Sequence, residues 1–156
     1  MLKLRDIMTR DVVSFDVETG LVEAIEVLAE RHISGAPVMS GDRIVGVLSS
    51  SDILEFVATN PSALADYGER ASTGRNALFG HTVEEAMSGG PPCSLAPDAA
   101  IQAAADLMRQ ANVHRVFVTE HDRLVGVVSS LDVTCALADH KISNRSFAVA
   151  DRTRVS

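Results

Sequence analysis

The sequence predicts an α/β (α+β) fold made of two tandem β-α-β-β-α units. Three observations carry that prediction. One eleven-residue stretch occurs twice, at an offset of 80 residues. Each copy is embedded in the same succession of strand-like and helix-like apolar patterns. The chain, 156 residues long with 46% hydrophobic residues, can supply cores for two half-sized units.

The repeat is clear when the copies are set side by side. Asp42-Arg43-Ile44-Val45-Gly46-Val47-Leu48-Ser49-Ser50-Ser51-Asp52 matches Asp122-Arg123-Leu124-Val125-Gly126-Val127-Val128-Ser129-Ser130-Leu131-Asp132 at eight of eleven positions. The same offset pairs Ser14 with Ser94, Ala24 with Ala104, Leu28 with Met108 and Val38 with Val118. Met8-Thr9 pairs with Met87-Ser88 at an offset of 79, so the second copy carries one extra residue within Gly89-Gly90-Pro91-Pro92. A period this long marks a tandem domain, since solenoid repeats run about 20–50 residues.

Each copy then reads in the same order. A short strand is predicted at Val12–Phe15 and at Cys93–Leu95. A helix follows at Gly20–His32 and Ala99–Ala111, with Thr19 and Asp98 as candidate N-caps. Buried strands come next, Ala36–Met39 and Val116–Thr119, then the polar turns Ser40-Gly41-Asp42 and Glu120-His121-Asp122. The β-branched runs Ile44–Leu48 and Leu124–Val128 are strands. Helices at Ser50–Ala58 and Ser130–Ala138 close the units. The predicted division is a first unit at 1–60, a linker at 61–81, a second unit at 82–140 and a tail at 141–156. Pro, Gly, Ser and Asn mark 59–81 as a surface loop, with one helical turn at Ala63–Tyr67. The tail from Lys141 has no period and is expected to fray. On the first long helix, Glu23, Glu26 and Glu30 form a narrow polar stripe, and the wide apolar remainder predicts burial on two sides, once against another chain.

Composition excludes several classes. The net charge of −7 repels phosphate backbones and argues against a nucleic-acid binder. With no Trp and 4% aromatics, the core must be Val, Ile, Leu, Ala and Met. Cys93 and Cys135 form no C-x-x-C, which excludes disulfide scaffolds and zinc ribbons; both read as small buried hydrophobes. Met1–Arg10 lacks a signal-like apolar stretch, and no run approaches the roughly 20 apolar residues of a membrane helix. A cytoplasmic protein without membrane attachment is expected. The five histidines show no metal-ligand spacing, and neither G-x-S-x-G nor a P-loop occurs. No catalytic residue, metal or resident cofactor is therefore expected.

The chemistry lies in Gly-h-h-Ser-x-x-Asp, with h apolar, which joins a strand to a helix start in both copies. Gly46 and Gly126 admit a second backbone or a ligand close to the strand. Ser49 and Ser129 fall near the N-cap, and Asp52 and Asp132 in the first turn. Helix N-termini offer free N–H groups and positive partial charge to a phosphate, and a serine hydroxyl adds a donor. The carboxylate would repel phosphate, so its fitting partner is a sugar hydroxyl. Ser-x-x-Asp is also a capping box, a purely local stabiliser. A cap, however, does not require Gly three residues upstream, twice.

These features resemble a tandem pair of CBS domains, the cystathionine-β-synthase type. The resemblance covers about residues 2–58 and 82–138. It is carried by Arg5-Asp6-Ile7-Met8-Thr9, His32-Ile33-Ser34-Gly35-Ala36-Pro37-Val38 and both Gly-h-h-Ser-x-x-Asp segments. It implies a Bateman module with pseudo-twofold symmetry, two clefts that bind AMP, ADP, ATP or S-adenosyl compounds, and often a homodimer. Carried over by position, Asp132 would hold ribose in one cleft, Ser129 would lie near ribose or phosphate, and His114 and Arg115 would face the phosphates. Val13, Ile33 and Ser34 would wall the adenine. In the other cleft Asp52 and Ser49 would take the sugar and phosphate, and Cys93, Asn112 and Val113 would wall the base. Many members of the family carry Thr where this chain has Ser49 and Ser129; the hydroxyl is kept.

The copies differ where His114-Arg115 aligns with Ser34-Gly35. Only the Asp132 cleft is offered an arginine, so it is expected to bind the charged nucleotide more tightly; the alternative is a surface pair at a strand entry. The function expected is a sensor that binds an adenine nucleotide or S-adenosyl ligand and modulates a separate, unknown protein effector. The competing reading is a structural adaptor without a ligand. An enzyme finds no support, because the repeated positions offer Ser and Asp but no paired base.

Overall fold

In a computed structural model of the chain, residues 1–62, 77–90 and 92–144 are described. The elements are α1 (Leu4–Ile7), β1 (Phe15–Asp16), α2 (Leu21–Arg31), β2 (Gly35–Ser40), β3 (Arg43–Ser49), α3 (Ser50–Thr59), a 3-10 turn (Ala77–Gly80), α4 (Val83–Ala86), β4 (Ser88–Gly89), β5 (Ser94–Leu95), α5 (Ile101–Ala111), β6 (Arg115–Glu120), β7 (Arg123–Ser129) and α6 (Ser130–Asn144). The predicted β-α-β-β-α order is present in both copies. The predicted helical turn at Ala63–Tyr67, most of the predicted loop and the tail beyond Asn144 lie outside the described residues.

By internal contacts the chain divides into two units. The first-repeat unit takes Val12–Pro92 with Asp122–Leu124; the second-repeat unit takes Met1–Asp11 with Cys93–His121 and Val125–Ser156. Each therefore contains a leading segment from the other copy. In the first-repeat unit the sheet order is β1-β2-β3-β4, with β1 parallel to β2 and the other pairs antiparallel. Its core joins Phe15, Leu21, Ala24, Leu28, Val38, Leu48 and Phe56 to Leu78 and Val83. Full burial of each large aliphatic side chain contributes about 1.5–3 kcal/mol. In the second-repeat unit β5 pairs parallel to β6, and β6 neighbours β7. Its core joins Ala104, Met108, Val116, Val118, Val128 and Val133 to Leu4.

The leading segments dock alike. The Val83 and Glu84 N–H groups bond the Thr19 and Val17 carbonyls, and Leu4 and Arg5 bond those of Ala99 and Pro97. Downstream, β4 pairs with β3 through Gly46↔Gly89 and Val47↔Ser88. In the second-repeat unit Thr9 makes the equivalent antiparallel bridge to Val127. Glycine permits both approaches. A Cβ on Gly46 would lie 2.5 Å from the Ser88 carbonyl oxygen, and one on Gly126 would lie 2.6 Å from the Met8 sulfur.

Several boundaries differ from the sequence expectation, each for a local reason. The strands expected over Val12–Phe15 and Cys93–Leu95 are each two residues long, and β1 begins one position later than the matching β5: Pro37 has no N–H to give Val13, whereas Phe117 donates to the Cys93 carbonyl (2.9 Å). Thr19 and Asp98 are not the N-caps. Those are Gly20 and Ala100, without side-chain caps. The Thr19 hydroxyl instead accepts the Asp16 N–H, and Asp98 pairs with Lys3 and Arg5. The last helix runs to Asn144, since no Gly or Pro stops it after Ala138. Cys93 is half-buried as it enters β5, but Cys135 is exposed on α6, whose inward face is set by Val133. On α2 the stripe Glu23, Glu26 and Glu30 is exposed, Leu21, Ala24 and Leu28 are buried, and Val22 and Ile25 are half-buried.

Gly46→Ala is expected to cost about 1–3 kcal/mol, because the clash is with β4 backbone. Gly126→Ala should cost less, because the first atom met is the end of a flexible Met8 side chain. Urea midpoints of the two variants check the order.

A second prediction concerns pH. The Thr82 N–H donates to Glu85 (2.7 Å), and His81 lies 3.2 Å from the same oxygen. The Thr82 hydrogen bond first, and His81 after it, hold the Glu85 carboxyl below its ordinary value of 4.5. A depressed carboxylate pKa gives stability that is present above the unfolded value and lost as pH falls through the folded one. Unfolding between pH 6 and 3 should therefore show a smaller loss below about pH 4.5 in Glu85→Gln than in the parent.

Candidate functional site

Each unit contains one strand-to-helix junction of the repeated motif. The approach to it is set by the end of the preceding helix. Both α2 and α5 end on a left-handed residue, His32 (φ 53°) and Asn112 (φ 54°). The next N–H then reaches back, Ile33 to the Leu28 carbonyl and Val113 to that of Met108. This turn places the Ser34 and His114 carbonyls against the following helix, where the Ser50 and Ser130 N–H groups donate to them, each at 2.8 Å.

At the first junction Ser49 is the N-cap of α3. The Asp52 N–H donates to Ser49 Oγ (3.4 Å), and the Ser49 N–H donates to Asp52 Oδ2 (2.8 Å), a complete capping box. Three further contacts close the junction. Ser49 Oγ donates to Asp52 Oδ2 at 2.8 Å. It also lies 2.9 Å from Ser51 Oγ. The Ser88 hydroxyl, brought in by β4, donates to Asp52 Oδ1.

At the second junction the reciprocal pair recurs, Ser129 N–H to Asp132 Oδ2 at 2.8 Å and Asp132 N–H to Ser129 Oγ at 3.1 Å. The additions do not. Position 131 is Leu, and among the described residues no hydroxyl reaches Asp132 Oδ1, although Thr9 holds the place of Ser88 in the strand pairing. His114 is exposed and Arg115 half-buried at the start of β6. Burial lowers the Arg115 pKa from the ordinary guanidinium value, without discharging it at neutral pH.

Of the residues named from the sequence, Val13, Ile33, Ser34, Ser49 and Asp52 belong to the first-repeat unit. Cys93, Asn112, Val113, His114, Arg115, Ser129 and Asp132 belong to the second. Val13 and Ile33 pack beside the first core, and Val113 beside the second. Ser49-Asp52 and Ser129-Asp132 are joined by hydrogen bonds, and His114 is tied to the same helix start as Ser129. Sequence reasoning missed Ser88 and Thr9 as members of the junctions. The signal was the Met-hydroxyl pair repeated at an offset of 79.

A second surface lies on the second-repeat unit. An open groove of about 650 Å³ is lined by Met1, Leu2, Ile101, Ala105, Val133 and Leu137 among others, and is overwhelmingly apolar. Leu137 is 52% exposed there, well above the norm for a leucine. Among the described residues no three His, Cys, Asp or Glu side chains could hold a metal ion, and no helix is long and apolar enough to cross a membrane.

Two Ser-x-x-Asp helix starts, each fed by a glycine strand and a docked leading segment, define a class. The CBS domain family matches residues 4–59 and 83–139, and the chain belongs to it as a tandem CBS pair, or Bateman module. It is similar to an uncharacterized 33.4 kDa protein from the ribosomal RNA operon of Thermofilum pendens, 26% identical over 136 residues, which are 87% of this chain and 44% of that protein. Among solved structures it is similar to the CBS domain pair of protein MJ0100 in complex with 5′-methylthioadenosine and S-adenosyl-L-methionine (22% identity, TM-score 0.69, 87% of this chain and 99% of that one). It is also similar to CBSX2 in complex with AMP (23% identity, TM-score 0.71, 90% and 99%). At these identities the two structures establish the fold.

Proposed function

We propose that this chain is a regulatory module that binds an adenosine ligand, AMP, ADP, ATP or an S-adenosyl compound, and modulates a separate protein partner. One observation carries the reading: the helix start at Ser129-Asp132 keeps one carboxylate oxygen outside the capping box, on the same unit as the half-buried Arg115. A carboxylate accepts from vicinal sugar hydroxyls, the helix N-terminus and Ser129 donate to phosphate, and Arg115 with His114 supplies positive charge. The ligands of the MJ0100 pair and of CBSX2 all carry vicinal ribose hydroxyls, and the AMP of CBSX2 carries a phosphate as well. By the family resemblance, Val13, Ile33 and Ser34 would wall the adenine for Asp132, and Asp52 and Ser49 would form the second site with Cys93, Asn112 and Val113. The roles are binding roles, and no residue is assigned to catalysis. Regulation follows if the ligand has different affinity for two states of the module.

Asp132→Ala should weaken binding roughly ten- to a hundredfold, the loss of a hydrogen bond to a charged group being about 1.5–3 kcal/mol. Calorimetry with AMP, ADP, ATP and S-adenosylmethionine measures it, and flat titrations for all four would end the proposal. Arg115→Gln should weaken AMP more than S-adenosylmethionine, which has no phosphate.

The apolar groove favours a homodimer, because a second copy would cover Leu137 and Ile101. Sedimentation should show a concentration-dependent dimer that Leu137→Glu dissociates. A monomer at every concentration would refute the pairing. The adaptor reading keeps the dimer but predicts no rise in melting temperature with any nucleotide, whereas a bound ligand raises it by mass action.

A further inference from the structure

We propose that Ser88 sets the selectivity between the two junctions by acting as a built-in substitute for a ligand hydroxyl on Asp52. The inference rests on the reading that these aspartates accept sugar hydroxyls. The two junctions share a backbone plan but not a hydrogen-bond balance. At the first, both Asp52 oxygens accept from side-chain hydroxyls, Ser49 on Oδ2 and Ser88 on Oδ1, and Ser51 occupies Ser49 Oγ. At the second, Leu131 replaces Ser51 and Asp132 Oδ1 has no such donor among the described residues.

Ser88 is placed by the chain itself. It sits in β4 opposite Val47, two residues before Ser49, and its register is held by Gly46↔Gly89. Its hydroxyl therefore arrives at Asp52 at the concentration of a tethered group, without the association entropy that a free sugar must overcome. A ligand at Asp52 must displace that hydroxyl or share the oxygen with it, while a ligand at Asp132 meets an open acceptor. Thr9 occupies the matching place in the second-repeat unit, and among the described residues its hydroxyl makes no hydrogen bond to Asp132. The pair Ser88/Thr9 thus separates a self-satisfied junction from an open one.

The test is calorimetry with AMP on full-length protein in the Asp132→Ala background, where remaining binding belongs to the Asp52 junction. Adding Ser88→Ala should tighten that binding about fivefold or more, and adding Asp52→Asn should cancel the gain. Ser88→Cys, nearly isosteric with a much weaker donor, should give a gain in the same direction. It serves as the second variant if Ser88→Ala loses its circular dichroism signal. If the parent protein binds AMP and neither Ser88 variant changes the Asp52 affinity, or the gain survives Asp52→Asn, the selector role is wrong while the binding reading stands. If the parent and every variant are flat with AMP, ADP, ATP and S-adenosylmethionine, both fail.

Discussion

The constraint on which the rest depends is the close approach of a leading segment to a strand that carries glycine. At Gly46 a methyl group would run into the Ser88 carbonyl oxygen, and at Gly126 it would displace the Met8 side chain and press on the Thr9 carbonyl oxygen. Three consequences follow from that one contact. The sheet gains a further pairing beside β3 or β7. The cores gain Val83 and Leu4, which are fully buried. A hydroxyl residue is delivered beside the strand-to-helix turn. Of the two approaches that the sequence leaves open at these glycines, a second backbone or a ligand, the structure shows the leading segment, by backbone at Gly46 and by Met8 and Thr9 at Gly126.

The helix starts show how one carboxylate can satisfy two demands. A capping box uses one oxygen of Asp52 or Asp132 to hold the N-cap N–H, worth about 1 kcal/mol to the helix. The other oxygen is free of that duty. The local-stabiliser reading and the binding reading of Ser-x-x-Asp thus compete for the residue but not for the same atom. This is also why the motif includes Asp close to the N-cap. Three residues on, a shorter carboxylate than Glu reaches the N-cap with Oδ2 and keeps Oδ1 near the opening of the turn.

Much of this was legible in the sequence because duplication exposes what matters. The repeat, the order of elements, and the Gly, Ser and Asp positions all recur at a fixed spacing. The errors arose where one residue's local partner decides the outcome. Pro37 withdraws an N–H and moves β1 one position along the chain relative to β5, although its strand pattern is unchanged. Thr19 and Asp98 have N-cap chemistry, yet a turn N–H and two cations claim them first. Cys135 sits among apolar neighbours in sequence but falls on the outer face of α6. Ser88 went unread because its partner is 36 residues away, and no periodicity encodes a side-chain contact at that separation.

Duplication also explains how the two junctions came to differ without any change of fold. The backbone geometry is fixed twice by the same caps, the same αL turns and the same glycine contacts, so side chains at the rim can change without cost to the core. Ser51 against Leu131, Ser88 against Thr9 and Ser34-Gly35 against His114-Arg115 are all such changes. Each alters the supply of donors or charge and leaves the packing of Val38, Leu48, Val118 and Val128 untouched. A module with two equal junctions would respond to one ligand over one concentration range. On the proposed reading, a module with one open junction beside Arg115 and one satisfied from within would have two thresholds on the same scaffold. The difference between them is set by a handful of hydrogen bonds, each worth about 1 kcal/mol, which is the scale on which allosteric coupling operates.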